Sequence, residues 1–285
     1  MGAITKRNLK IFFRDKTAVF YSLLASFIMI GLYFLFLGDN LTSSLKGIEN
    51  ARDIMDNWLI AGLMAITSLT TTMSVFGIRI NDNVDKISKD FFSAPISKRS
   101  LAGGYIVSAY VVGLIMSLAT YILAEIFVFI RGGIVMDFAS TLKIFLVVLI
   151  VDFANSAMML FVTSLFNSHN AYSAAGSIIG TLVGFVTGIY MPIGVLPEWV
   201  QWIIKCFPTS HGASIIRQIM MNDALEKGFA NAPSSVLEEF QSMLGITYTF
   251  GDYTVSNLVS IGILVVTGAV FYALGVINIS KKKVA

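Results

Sequence analysis

Long apolar runs alternate with short polar segments along most of the chain. Six of these runs come close to the roughly 20 residues that an α-helix needs to cross a bilayer. They are residues 18–37, 58–78, 101–130, 142–165, 171–191 and 255–280. The pattern therefore predicts an all-α integral membrane protein with six transmembrane helices.

The residues before the first span predict a different kind of helix. On a helical wheel the basic side chains fall on one sector and apolar side chains occupy the rest. The basic residues are Lys6, Arg7, Lys10 and Arg14. Such a helix lies in the membrane interface with its basic edge toward anionic lipid headgroups. We therefore divide the chain into an amphipathic interfacial helix at 1–17 and a six-span membrane domain at 18–285.

The segment 79–100 is the most polar interruption between two spans. It contains acid-before-base pairs at i,i+4, which is the favourable order on a helix. It also contains apolar residues at i, i+3 and i+7, which form one narrow stripe. The pairs are Asp82 with Lys86 and Asp85 with Lys89, and the stripe is Val84, Ile87 and Phe91. The segment predicts a short amphipathic helix at the membrane surface, suited to docking a partner.

Two residues define the end of this helix and the start of the next one. Pro95 disfavours helical geometry in the residue before it, so the helix should stop there. Ser97 is placed to cap the following helix, because a serine side chain accepts a hydrogen bond from a free backbone N–H. Span three should therefore begin just after Ser97.

The segment between spans five and six contains two short apolar helices. Pro197 and Glu198 are typical of a helix start, Pro208 ends that helix, and a second one runs through Ile216 to Met220. Neither is long enough to span, so we predict an outer re-entrant or interfacial hairpin, which is tolerated where protein covers its backbone. The polar stretch 222–254 is expected to be an outer loop.

Composition supports the membrane assignment and narrows the chemistry. Hydrophobic residues make up 56% of the 285 residues and charged residues 13%, and the mean hydropathy is +0.78. Soluble domains carry about 25% charged residues. The single cysteine, Cys206, excludes an intrachain disulfide and a multi-thiolate metal site. No GxxxxGK[ST] phosphate loop occurs, so the chain itself does not bind a nucleotide in that way.

The distribution of Lys and Arg predicts the orientation. Thirteen lie in the segments 1–17, 79–100 and 281–285, and seven lie in the connections on the other side. Because cytoplasmic loops carry the excess of positive charge, both termini and the 79–100 segment are expected in the cytoplasm. The hairpin between spans five and six is expected outside.

Span five carries a glycine at every fourth position. On a helix these residues fall nearly on one line and allow another backbone to approach closely. We expect a packing face within the bundle or across a dimer, with a substrate groove as the second interpretation. The ladder consists of Gly176, Gly180, Gly184 and Gly188.

Spans two and four contain polar side chains that could line a path: Thr67, Thr71, Asp152 and Asn155. Hydroxyl groups commonly hydrogen bond between membrane helices, and we favour that interpretation for span two. A carboxylate within a span is costly and indicates either a functional site or a helix-joining contact. For Asp152 both interpretations stay open.

Two stretches and the basic N-terminal helix give the chain a family resemblance. DKISKDFFSAPISKRSL resembles the cytoplasmic segment of ABC-2 type exporter membrane subunits, which ends in a Pro-Ile-Ser-Arg/Lys pattern. GIYMPIGVLPEWVQWIIKCFPTSHGASIIRQI is similar to the segment that follows span five in that family. The N-terminal helix matches the family's connecting helix. The family includes drug, antibiotic and polysaccharide exporters, and the likeness covers nearly the whole chain.

The resemblance implies a homodimer or heterodimer of such subunits. It also implies two separate cytoplasmic ATP-binding subunits, which bind ATP and Mg²⁺, whereas this chain binds no cofactor. The 79–100 helix would be the coupling helix seated in an ATPase cleft, with Val84, Asp85, Ile87, Lys89, Phe91 and Pro95 as its contact residues. The expected task is export of a hydrophobic or amphipathic compound, drug-like or antibiotic-like, across a bacterial cell membrane. A lipid-linked polysaccharide or teichoic-acid exporter is the alternative.

Other classes of protein fit less well. The chain has no HExxH or G-x-S-x-G motif, and the predicted topology places His169 and His211 on opposite sides, so no catalytic or metal site is expected. An ion-coupled transporter could use Asp152 and Glu125. Such folds usually contain inverted repeats, and no repeated half is visible here. No nucleic-acid partner is expected.

Overall fold

The computed structural model describes residues 1–33, 35, 45, 48–93 and 95–281. Its helices are α1 (Gly2–Arg14), α2 (Lys16–Leu32), α3 (Ala51–Val84), α4 (Ile87–Ser93), α5 (Lys98–Ile130), α6 (Phe138–Ser164), α7 (His169–Val186), α8 (Glu198–Cys206), α9 (Pro208–Gly228), α10 (Ser234–Met243) and α11 (Asn257–Lys281). A small antiparallel hairpin, β1 (Thr249–Phe250) and β2 (Tyr253–Thr254), precedes α11. The prediction of a helical membrane protein is confirmed.

Four described helices are long and apolar enough to cross a membrane, judged by length and composition. They are α3, α5, α6 and α11. The number rises to five if α1 and α2, which meet at a bend of 76°, count as one broken span. α7 occupies the place of the predicted fifth span but is not among them. The six-span topology therefore stays a prediction. The end of predicted span one, most of the first outer loop and the tail 282–285 lie outside the described residues.

α3 is the central helix of the bundle. It packs against α2, α5, α6, α7 and α9, and 89% of its most apolar stretch is buried, compared with 22% for α11. Its apolar side chains, including Trp58, Leu63 and Phe76, contribute to one continuous core. The buried hydroxyl residues Thr67, Ser68 and Thr72 of α3 form hydrogen bonds inside the bundle.

Polar side chains cap the helix starts. Ser97 accepts a hydrogen bond from the Ser100 backbone N–H at 3.2 Å, so the prediction for the start of α5 is confirmed. Asp137 caps α6 and Ser168 caps α7 in the same way. Asp15 ends α1 and caps α2. These caps satisfy backbone N–H groups that have no partner inside their own helix.

The prediction of one continuous amphipathic helix in 79–100 is wrong. α3 continues through Val84, the chain turns at Lys86, whose φ is +63°, and α4 starts at Ile87. The turn places the members of the predicted stripe in different surroundings. Val84 is 47% exposed, whereas Ile87 and Phe91 are half-buried. α4 ends at Ser93, two residues before Pro95, as predicted.

The segment between α7 and α11 is more ordered than predicted. α9 does not stop at Met220 but continues to Gly228, because Met221 and Leu225 also face the core. The stretch 222–254 then contains α10 and the β-hairpin instead of a plain loop.

The glycine ladder does not form one straight face. α7 ends at Val186, and Gly188 lies in the turn beyond it with φ +69°. A Cβ on Gly176 would meet the Met73 side chain at 2.9 Å, and one on Gly184 would overlap the Tyr190 ring. A Cβ on Gly180 would meet nothing within 4 Å. Gly176 and Gly184 therefore allow two different close contacts, Gly188 allows the turn, and Gly180 has open space beside it.

Candidate functional site: the inner helix cluster and the buried polar contacts

The N-terminal helix is fastened along the first turns of α5. The Met1 ammonium donates to Ser100 Oγ at 2.7 Å, and Asn8 Nδ2 donates to Ser108 Oγ at 3.1 Å. α1 can approach closely because Gly104 has no side chain, since a Cβ there would lie 2.6 Å from Ile4. Asn8 is fully buried. α1 is therefore a packed part of the bundle as well as an amphipathic surface helix.

An ion pair between α1 and α3 stands at the centre of this inner cluster. Arg7 donates from Nη1 to Asp82 Oδ2 at 2.8 Å and from Nη2 to Asp82 Oδ1 at 2.6 Å. Tyr105 of α5 donates to Asp82 Oδ2 at 2.5 Å. These hydrogen bonds to Asp82 raise the pKa of the Arg7 guanidinium above its ordinary value. Asp82, which is 2% exposed, thus joins three helices. It does not form the predicted pair with Lys86.

Phe91 connects α4 to the same cluster. The Arg7 guanidinium carbon lies 5.3 Å from the centroid of the Phe91 ring, within the range of a cation–π contact. Phe91 also packs against the main core. Its ring therefore faces the bundle. Phe91 therefore places α4 against Arg7, which in turn hydrogen bonds to Asp82.

The opposite side of the α3–α4 turn is open. Val84, Asp85, Lys86, Lys89 and Asp90 are exposed there. A cavity of about 530 Å³ lies between this turn and the start of α7, lined among others by Lys86, Lys89 and His169. Of the predicted coupling residues, Val84, Asp85 and Lys89 thus remain accessible, and Ile87 and Phe91 are turned toward the protein.

The structure brings Asp152 and Asn155 together with residues of α3, α5 and α9. Thr209 Oγ1 donates to Asn155 Oδ1 at 2.7 Å, and Asn155 Nδ2 donates to Ser68 Oγ at 2.7 Å. Ser68 donates in turn to Asp152 Oδ1, which Ser117 also approaches at 3.4 Å. The donors form a directed chain from the start of α9 to the carboxylate. This geometry favours a helix-joining contact, and the pathway role stays a prediction.

Thr67 belongs to a separate junction. Its hydroxyl lies 3.0 Å from Ser26 Oγ of α2 and receives a hydrogen bond from Thr120 of α5 at 3.2 Å. Thr71 is fully buried, and its hydroxyl has no hydrogen-bond partner among the described residues. Both residues are buried among the described helices.

Arg217 of α9 is a buried residue to which the sequence analysis gave no role of its own. Its Nη2 donates to the Thr187 carbonyl at 2.7 Å and its Nη1 approaches the Gly245 carbonyl at 3.4 Å. Its guanidinium carbon lies 5.1 Å from the Trp58 ring centroid. Gly62 and Gly188 also border the guanidinium, and a Cβ on either would come within 3.5 Å of it. The signal in the sequence that could have identified it is an arginine within the otherwise apolar run around Ile215 and Met220.

The remaining candidates have local partners. Glu125 accepts a hydrogen bond from the Met136 backbone N–H at 3.0 Å and so holds the loop between α5 and α6. His211 is buried, with Nε2 at 2.9 Å from the Lys205 carbonyl and Nδ1 at 3.0 Å from Ser260 Oγ. Because the carbonyl can only accept, Nε2 carries the proton and Nδ1 accepts. His169 lies beside Asn81 near the α3–α4 turn.

The apolar helices and their buried polar contacts define a multi-pass membrane protein. Residues 1–221 match the model of the ABC-2 type transporter family. The chain therefore belongs to the ABC-2 type transporter family, as the sequence resemblance indicated. A search of curated proteins finds no match. The family is a membrane component of ABC transporters that performs transport, not catalysis, and it implies association with ATP-binding subunits.

Proposed function

We propose that this chain is the permease subunit of an ABC exporter in a bacterial cell membrane. With a second copy or a homologue it would form the path for a hydrophobic or amphipathic compound of drug or antibiotic type. Two separate cytoplasmic subunits would bind ATP and Mg²⁺ and supply the energy. Both termini would lie in the cytoplasm, in line with the excess of basic residues in those segments.

The observation that supports this function best is the convergence of α1, α3, α4 and α5 around Arg7 and Asp82. A partner that pushes on the exposed side of the α3–α4 turn would act on α4, whose Phe91 underlies Arg7. The ion pair then connects that displacement to α3 and, through Tyr105, to α5. The arrangement suits transmission of force from a docked ATPase to two spans.

Val84→Glu tests the docking surface. Val84 is 47% exposed at the α3–α4 turn, and a buried carboxylate in its place would be costly at an apolar contact. We expect the ATP-binding subunit that copurifies from native membranes to fall about tenfold, since the loss of one interface anchor commonly has that effect. The amount of an ATP-hydrolysing subunit recovered per permease is the measurement.

Val236→Glu is the matched control, because Val236 is 46% exposed on α10. This variant should retain its partner. If Val84→Glu retains the ATP-binding subunit as well as Val236→Glu does, the docking surface lies elsewhere and the coupling proposal is wrong.

Leucine substitutions at Gly180 and Gly184 distinguish packing inside the subunit from packing between subunits. A leucine at Gly184 would overlap Tyr190, so Gly184→Leu should destabilise the single subunit. A leucine at Gly180 meets open space and should leave the subunit folded. If α7 faces a second permease, Gly180→Leu should shift the purified complex from dimer to monomer. Light scattering in detergent measures this, and a Gly180→Leu protein that remains dimeric would remove α7 from the dimer face.

A further inference from the structure

The junction of α3, α5, α6 and α9 contains a carboxyl group that lacks a compensating positive charge. Asp152 of α6 is fully buried. Among the described residues, the groups that bond to it are the hydroxyls of Ser68 on α3 and Ser117 on α5, and both donate to Oδ1. The other oxygen, Oδ2, is buried and has no hydrogen-bond partner in the same part of the chain. Asp152 is therefore a buried acid with one oxygen left for a ligand.

The titratable side chains close to Asp152 supply no counter-charge. Tyr110 of α5 lies within electrostatic range of the carboxyl group, and an ordinary phenol is neutral up to about pH 10. On α9 the nearest titratable group is His211, whose ring bonds to the Lys205 carbonyl and to Ser260. Burial lowers the pKa of His211, against the opposing effect of the bond to that carbonyl, so the imidazole is neutral at pH 7.

The nearest cations on α3, α6 and α9 are at least two helical turns away, about 12 Å or more along the helix axis at 1.5 Å per residue. They are Arg79, Lys143 and Arg217. Arg79 donates to the Thr163 carbonyl, Arg217 donates to the Thr187 carbonyl, and Lys143 is exposed. α11 also packs against α6, and its tyrosine, Tyr272, is exposed. None of these described groups is placed to neutralise an ionised Asp152.

The packing favours a proton over a metal ion as the ligand. A Cβ on Gly113 of α5 would lie 2.8 Å from Thr72 and 3.1 Å from Asp152 Oδ1, so little space remains between α5 and the carboxyl group. Metal ions such as Mg²⁺ and Ca²⁺ require about six or more oxygen ligands. The nearby oxygens of Ser68 and Asn155 already accept hydrogen bonds, as Oδ1 does. A proton requires only Oδ2.

Ser156 offers the acceptor that a protonated Oδ2 needs. It follows Asp152 by one turn of α6, and side chains at i and i+4 are neighbours on a helix. Ser156 is fully buried, and its hydroxyl has no hydrogen-bond partner among the described residues. A serine oxygen can accept a hydrogen bond from an acid O–H. Without the proton, the same pair would keep an uncompensated negative charge inside the bundle, which is far more costly.

We propose that Asp152 is a proton-binding site: its carboxyl group carries a proton on Oδ2 while α3, α5, α6 and α9 pack around it. A conformational change that admits water to this junction would release the proton. Acidic conditions would therefore favour the packed state over an opened one. The site depends only on the packing of this chain, so its test and the test of ATPase docking can fail separately.

Infrared spectroscopy of the purified full-length protein in detergent measures this protonation directly. At neutral pH the parent protein should show the carbonyl stretch of a neutral carboxylic acid, and Asp152→Asn should lose that band. Asparagine has the shape of the neutral acid and can donate to Ser156, so this variant should fold. Asp252→Asn, an exposed change in the turn of the β-hairpin, should keep the band. Identical spectra for the parent and Asp152→Asn would show that Asp152 is ionised and would overturn the proposal.

Ser156→Ala keeps the test decisive if Asp152→Asn does not fold. This variant removes the acceptor and leaves the acid in place. The band should therefore remain and move to higher frequency, because the acid loses a hydrogen bond. A Ser156→Ala spectrum without any change would contradict the placement of the proton on Oδ2.

The pH dependence of thermal unfolding is the second measurement. Above about pH 4 an exposed carboxyl group is ionised, so unfolding releases the proton of Asp152. Each pH unit should then weaken folding by up to about tenfold. Between about pH 5 and pH 8 the unfolding midpoint should fall more for the parent than for Asp152→Asn, and Asp252→Asn should behave like the parent. Equal pH dependence for the parent and Asp152→Asn would contradict the proposal.

A comparison of salts tests the competing ligand. Sodium chloride and choline chloride at equal concentration should give the parent the same unfolding midpoint. If sodium chloride alone raises the midpoint of the parent, and does not raise that of Asp152→Asn, the site holds a metal ion and the proton assignment is wrong.

Discussion

Replacing Arg217 with methionine is expected to lower the stability of the purified protein by about 2–6 kcal/mol, since two buried carbonyls would each lose a donor at about 1–3 kcal/mol. Those carbonyls belong to Thr187 and Gly245. Burial lowers the pKa of Arg217 to about 10, so the group remains a cation and a full donor at neutral pH. Methionine has a similar length but cannot donate.

The competing effect is the removal of a buried charge. Replacing buried ionic groups by apolar ones can stabilise a protein when all their partners are replaced together. Here the partners are backbone carbonyls, which remain in place whatever side chain stands at 217. The loss of the donors should therefore prevail. Arg217→Lys should also destabilise, because an ammonium cannot reach both carbonyls with a planar fork.

The midpoint of thermal unfolding in detergent measures both substitutions. Arg99→Met is the control, since Arg99 is exposed at the start of α5. It should unfold at the same temperature as the parent protein. An Arg217→Met protein that unfolds at the parent temperature would show that the guanidinium does not hold α9 to the bundle.

Asp82→Ala is expected to reduce both transport and transport-linked ATP hydrolysis about tenfold or more, a loss of coupling of at least ~1.4 kcal/mol. The substitution removes the group that receives hydrogen bonds from Arg7 and Tyr105. α1, α3 and α5 would then move independently when the ATPase acts. Assays on proteoliposomes that contain the permease with its ATP-binding subunit measure both quantities.

The pair Arg7 and Asp82 allows a double-mutant cycle. The ion pair is unequally buried, with 29% of the Arg7 side chain exposed and 3% of that of Asp82. Arg7→Ala should therefore harm the protein more than a surface substitution, because it leaves the carboxylate buried without its cation. The double variant should lose less than the sum of the single ones. Lys6→Ala, an exposed neighbour on α1, should be close to neutral. Additive losses would argue against direct coupling.

Features set by neighbouring residues could be predicted from the sequence. Ser97 and Pro95 act within a few positions of themselves, and the structure confirms the helix boundaries that they indicate. The predicted i,i+4 pair of Asp82 with Lys86 also depends only on neighbouring positions, but the structure contradicts it. Asp82 is buried, and a cation 75 residues away satisfies it better than one exposed to water. Tertiary contacts overrode helix periodicity there.

The sequence predicts which residues of the candidate site are unusual, but it does not predict their hydrogen-bond partners. Asp152 stood out because a carboxylate in a span is costly. Its hydrogen-bonding neighbours Ser68 and Ser117 come from other helices, and no spacing in the sequence relates them. Gly188 followed the four-residue period of span five, yet a left-handed backbone angle separates it from α7. Periodicity gives no information on where a helix ends when glycine allows both outcomes.

α3 is a single uninterrupted rod that carries Asn57 near one end and Asp82 near the other. The 25 positions between them span about 38 Å at 1.5 Å per residue. A rotation of about 10° around one end would displace the other by roughly 6 Å. A tilt of α3 driven from its inner end would therefore move the side chains that pack around Asn57, at the far end of the same helix.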